Sequence, residues 1–150
     1  VVLRDRVRET IREELGESYS PQAGSQASTV YPGVGFLTIS ASADPERTDD
    51  VLQACLAVAE RLRADGVGDE ELARLREPEL KTLRDAQRQN GYWRSGLGEA
   101  QLRPASLDEL RSVMSDYESM TAAELTDLAA EYLAPEQASW CVVSSPTADS

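Results

Sequence analysis

Arg12 and Tyr19 stand on either side of Leu15-Gly16 in the stretch IREELGESYS, residues 11–20. A guanidinium and a phenol are both hydrogen-bond donors, and held in place together they could meet negative charge developing on an oxygen atom. The pattern alone leaves structural readings open. An arginine near a helix end suits the carboxyl end of the helix dipole. Tyr19 could equally be a strand residue with its ring packed and its hydroxyl wet.

The rest of the chain offers fewer candidates. It contains no histidine, which excludes Ser-His-Asp and Cys-His nucleophiles and every zinc site that uses imidazole. Gly33-Val34-Gly35 lacks the third glycine and the following helix of a dinucleotide site, so it reads as a turn. No nucleophile elbow or phosphate loop is present. The pairs Glu13-Glu14, Asp49-Asp50 and Glu70-Glu71 are neighbours in helical segments, where adjacent side chains diverge, so they read as solvated faces or dipole partners. Tyr92 and Trp93 could mark a ligand groove but read more readily as core anchors, with the indole N–H finding a local acceptor. Cys55 and Cys141 each sit in an apolar segment and read as two buried thiols more readily than as a disulfide.

Elements must position these residues. Leu3, Val7, Ile11 and Leu15 form the stripe of a helix ending near Gly16. Two strands follow, the second over Gly35 to Ala43, joined at Tyr31-Pro32-Gly33, with small side chains that suggest a sheet face closely covered by helices. Asp44-Pro45 reads as an N-cap with proline at the first helical position. The next helix carries Val51, Leu52, Cys55, Leu56, Val58, Ala59 and Leu62 up to Gly66.

A third helix starts at Gly68-Asp69-Glu70-Glu71 and carries Leu72, Leu75, Leu80 and Leu83 toward Tyr92-Trp93. Pro78 should kink or break it, because an internal proline costs about 3 kcal/mol. Ser106 to Glu109 and Thr121 to Glu124 both have the capping-box form and predict two further helices. Leu107, Leu110, Val113 and Met114 would face inward on one, and Leu125, Leu128, Ala129, Tyr132 and Leu133 on the other. Residues 139–144, SWCVVS, read as a last strand, and residues 145–150 as a frayed tail. Strands and helices occurring in runs favour an α+β fold, with an antiparallel-rich sheet packed against helices.

At 150 residues the length prior gives one domain. Fifteen basic residues against 27 acidic ones give a net charge of −12, without a run of five basic residues. Nucleic acid and anionic membrane surfaces are therefore poor partners, while a cationic partner would be attracted. No apolar run approaches the roughly 20 residues of a membrane-crossing helix. The start Val1-Val2-Leu3-Arg4-Asp5-Arg6 is neither an initiator methionine nor a signal peptide, and reads as the beginning of a piece of a longer protein.

IREELGESYSPQAGSQ resembles the Leu/Ile-Arg-Glu-x-Leu-Gly-x-x-Tyr-Ser segment in the C-terminal domain of pitrilysin/insulinase-type zinc metallopeptidases, peptidase family M16. The resemblance continues through YPGVGFLTISASADPE, LRADGVGDEEL, QNGYWRSGL and YESMTAAELTDLAAEYLAPEQASWCVVSSP. It implies part of a LuxS/mitochondrial-processing-peptidase-like metallohydrolase domain over residues 1–150, with the N-terminal strands and the catalytic half missing. In that family an N-terminal half carries zinc on His-x-x-Glu-His, and a homologous C-terminal half closes over a peptide or protein substrate. Residue by residue, the resemblance assigns to Arg12 and Tyr19 the holding of substrate and tetrahedral intermediate.

The implied partners are that substrate and an N-terminal catalytic half, in the same or another chain. Zinc is expected in that half and no cofactor in this piece, which by itself could not hydrolyse anything by the family's mechanism. Two alternatives stand beside this reading: an inactive M16-like docking or assembly subunit, and an acidic peptide-binding module using an exposed sheet edge. A homodimer through an incomplete sheet is a further expectation. Secreted bacterial relatives point to a periplasmic or extracytoplasmic location, with a cytoplasmic one left open.

Overall fold

The computed structural model describes residues 1–16, 21–28, 30, 31 and 33–143. Within these the protein is mostly helical, with six α-helices and one small antiparallel sheet. Two compact units divide the chain: Val1–Gly66 with the chain from Thr126 onward, and Val67–Leu125.

The first unit begins with α1 (Val2–Leu15). Its stripe does what the spacing predicts: Val7 and Ile11 are completely buried, one turn apart on the same face. They pack against Val51, Ala54 and Val58 of α2 (Thr48–Asp65). Leu3, Ile39, Ala43 and Cys55 close around this cluster. The buried face of α2 is Val51, Ala54, Val58 and Leu62. It is narrower than the sequence suggested, and it includes Ala54 while leaving Leu52, Leu56 and Ala59 only half-buried.

Pro45 opens a 3-10 turn, Pro45–Arg47, and the α-helix begins after it. Asp44 precedes that turn in extended conformation, with no capping bond from its side chain. Gly66 ends α2 with φ at +70°, in the left-handed region that favours glycine. A side chain there would meet Thr126, whose Oγ1 lies 2.6 Å from the Cβ position. Its carbonyl accepts a bond from Arg6 Nη2 at 2.8 Å, so a single residue ties the end of α2 to α1 and needs to be glycine for two reasons.

Strands β1 (Gln22–Ala27) and β2 (Gly35–Ser40) pair antiparallel, from Gln22 opposite Ser40 to Ala27 opposite Gly35. The turn is closed by Ser28 N–H donating to the Val34 carbonyl at 2.8 Å. Ser28 Oγ accepts from the Tyr31 amide at 2.9 Å. The expectation that helices closely cover this sheet is not met: Phe36 is 60% exposed and Leu37 45%. Ile39 is the one β2 residue that reaches the core cluster. The second strand also stops at Ser40, short of Ala43.

The second unit contains α3 (Asp69–Gln87), α4 (Asn90–Leu102) and α5 (Ser106–Ser119). Three acidic residues in the first turn of α3 suit its dipole. Pro78 does not break α3, which continues through it to Gln87. Pro78 lies on the exposed side, so the missing N–H costs the Arg74 carbonyl its intrahelical donor only where solvent can reach it. The periodic stripe does not extend to Tyr92-Trp93, because α3 stops and α4 begins at Asn90.

The two capping motifs part ways. At Thr121 the box forms, with the Thr121 amide donating to Glu124 Oε2 at 2.8 Å and the Glu124 amide to Thr121 Oγ1 at 3.2 Å. It starts α6 (Ala122–Tyr132). At Ser106 it does not form. Arg103 takes Glu109 in a two-pronged pair at 2.7 and 2.9 Å, and Ser106 Oγ is buried with no partner among the described residues. A bidentate, charge-assisted pair outbids a neutral serine for the same carboxylate.

After the 3-10 turn Pro135–Gln137, residues 139–143 are not a strand. The sheet has two strands that pair only with each other, and a strand without a neighbour has no ladder to satisfy its amides. Trp140, Val142 and Val143 are exposed in consequence. Ser144 and residues 145–150 lie outside the described residues.

Candidate functional site

Arg12 occupies the last turn of α1, as its helix-end position predicts. Its backbone carbonyl accepts the amide of Gly16 at 3.3 Å, and Gly16 has φ at +90°. That left-handed glycine turns the chain out of the helix axis just before the residues that carry Tyr19. Tyr19 itself lies outside the described residues, so the geometry of the pair rests on Arg12 alone.

The surroundings of Arg12 differ from those of most other arginines in the first unit. Arg6 is bound to the Gly66 carbonyl and Arg61 Nη2 donates to Thr10 Oγ1 at 3.2 Å. Arg47 and Arg63 pair with Asp50 and Glu60 at 3.3 and 3.1 Å. The Glu60 hydrogen bond, followed by its charge, raises the Arg63 pKa. Arg12 is exposed, and its guanidinium, like that of Arg8 one turn before it, has no hydrogen bond or ion pair among the described residues. An uncommitted guanidinium at a helix end can accept an anionic oxygen without first breaking an internal pair.

The chain has no histidine, and among the described residues no three Cys, Asp or Glu side chains come together as metal ligands. No helix among them is long and apolar enough to cross a membrane.

The profile of the family described as the peptidase M16 inactive domain matches residues 3–78, half of the chain. The chain belongs to that family. The matched span holds α1, both strands, α2 and the first part of α3, and it includes Arg12 and Tyr19. No curated protein matches this M16 inactive domain. The family fixes a non-catalytic, peptidase-related domain.

Other residues singled out from sequence have their own places in the fold. Trp93 is 41% exposed and so is not a core anchor. Its indole does find a local acceptor, donating to the Gln87 carbonyl at 2.6 Å, one of the carbonyls left open where α3 ends. Tyr92 meets it edge to face, with ring centroids 5.3 Å apart. Cys55 is half-buried beside the core and burial pushes its thiol up. Cys141, expected to be buried, is exposed because the strand that would have carried it does not form. Sequence reasoning missed the outward placement of Leu128 and Tyr132 on α6. The available signal was charge: α6 carries acidic residues and no arginine three or four positions away to pair with them.

Proposed function

We propose that this M16 domain is the substrate-clamping part of a zinc-dependent endopeptidase whose catalytic half is a partner segment or chain. Arg12 and Tyr19 donate to the carbonyl oxygen of the bound peptide as negative charge develops on it. The domain closes over the peptide and performs no hydrolysis itself. In this reading β1 and β2 belong to the larger antiparallel sheet of a LuxS/mitochondrial-processing-peptidase-like domain. The observation that carries the proposal is the uncommitted Arg12 at the end of α1, inside the span that matches the family.

The test uses the parent enzyme with both halves. Arg12→Ala and Tyr19→Phe should each lower kcat/KM for peptide cleavage by the equivalent of about 2–4 kcal/mol, the range for a lost oxyanion donor, while zinc content stays the same. Wild-type cleavage in both variants ends the proposal.

A second reading, an inactive docking or assembly subunit, draws on the hairpin. Val30, Tyr31, Val34 and Phe36 are all more than half exposed, a run of apolar surface that suits a partner. A His-x-x-Glu-His segment encoded upstream of Val1 favours the clamp, and a degenerate one the docking subunit.

A further inference from the structure

Helix α6 turns two large side chains outward. Leu128 is 49% exposed and Tyr132 57%, and their spacing puts them on one face a turn apart. Beside them stand Asp127 and Glu131, both exposed and neither in an ion pair among the described residues. Several surface carboxylates on other helices do have arginine partners. Asp50, Glu60, Asp85, Glu99 and Asp108 each have an arginine three or four positions away, at 3.0 to 3.4 Å. From residue 112 to residue 150 there is no lysine or arginine at all. The arginines that reach this stretch are already engaged: Arg76 donates to the carbonyls of Glu118 and Met120, Arg84 pairs with Glu118, and Arg63, which feels Glu136, is held by Glu60.

We propose that this face of α6 docks a cationic amphipathic helix of a partner protein. Its apolar side chains cover Leu128 and Tyr132, and its lysines or arginines meet Asp127 and Glu131. Anchors at helical spacing are how a helix face is read by another helix, and the unpaired carboxylates fix the sign of the partner. A phosphate-bearing surface would be repelled, and a second copy of this chain carries the same net charge of −12. The proposal does not depend on the clamp reading.

The experiment titrates the full chain with a labelled amphipathic peptide of leucine and lysine, following fluorescence anisotropy at low and physiological salt. A peptide of the same composition with its apolar periodicity scrambled is the control. Leu128→Ser with Tyr132→Ser should weaken binding about tenfold or more, as loss of central anchors does. Asp127→Asn with Glu131→Gln should weaken it by a smaller factor and flatten its salt dependence. All four side chains are exposed, so circular dichroism should report an unchanged melting point.

Equal binding of the ordered and scrambled peptides would overturn the proposal. So would equal weakening from Glu70→Gln with Glu77→Gln on α3, since attraction would then follow overall charge. A dimer in sedimentation that the α6 substitutions abolish would overturn it too, by making a second copy the occupant.

Discussion

The two compact units of the chain are each held together by different physics. The first gathers Val7, Ile11, Val51, Ala54 and Val58 into one apolar cluster between α1 and α2. The second buries Leu72 and Leu80 and relies more on arginines. Arg76 donates to the carbonyls of Glu118 and Met120 at the end of α5, and Arg84 pairs with Glu118 at 3.6 Å. Arg103 joins Glu99 and Glu109. Apolar burial responds weakly to salt, whereas exposed charge pairs are screened by it. The first unit should therefore answer to volume changes, and the second to charge.

The largest effect belongs to the first unit. Ile11→Ala empties a completely buried position and should cost about 2–5 kcal/mol, read as a lower urea midpoint at any ionic strength. A loss that changes strongly with salt would break the contrast. Gly66→Ala comes next. It forces a side chain into a left-handed backbone and against Thr126, at about 1–3 kcal/mol by the cost of such strain. An unchanged melting point would mean that the end of α2 can relax, and that Gly66 is no tie.

In the second unit Arg76→Ala removes two bonds to the otherwise open carbonyls of α5. The expected loss is about 1 kcal/mol, since these bonds are only partly shielded from water. Unlike Ile11→Ala, its cost should shrink in high salt. Thermal unfolding at two ionic strengths distinguishes the cases.

The pH dependence sharpens the comparison further. The Arg103 hydrogen bond holds the Glu109 carboxyl below the usual carboxylate range. Thr121 does the same for Glu124, through its amide first and its hydroxyl second. In the unfolded chain both return to the ordinary value, so the folded state binds protons less readily. Their stabilisation is complete above the ordinary carboxylate range and is lost as pH falls through the lowered folded values. Wild type should thus be more stable than Glu109→Gln at neutral pH, and the gap should close in acid. A gap that is constant with pH would remove Glu109 from the account.

How much of this was legible beforehand follows the same division. Val7 and Ile11 could be read because a helix repeats its buried face on a fixed period, and the Thr121 start because its capping box is local; at Pro45 the helical turn was readable, but the Asp44 cap did not form. Arg12 was readable as a helix-end cation for the same reason. The strand over residues 139–143 was misread because a strand needs a neighbour, and pairing is not written in the segment itself. Leu128 and Tyr132 were misread because periodicity places residues on a common face without saying whether anything covers it. The unbroken α3 at Pro78 depended on which side of the helix faces solvent, a property of packing.

Ser106 and Thr121 give the smallest test, and it turns on competition for a glutamate. Both begin the same four-residue motif, yet Glu124 stays with its threonine while Glu109 goes to Arg103. Ser106 is left buried and without a partner for its hydroxyl among the described residues. Ser106→Ala removes a polar atom that gains nothing from burial, so it should leave stability within about 0.5 kcal/mol of wild type or raise it slightly. Thr121→Ala breaks a formed cap and should cost about 1 kcal/mol. In an Arg103→Met background Glu109 is released to turn back toward Ser106, and Ser106→Ala should then become destabilising. If it stays neutral in that background, Arg103 is not what keeps the box open. The cause would then be local to the start of α5, where Ala105 already has helical backbone angles in place of the extended ones an N-cap adopts.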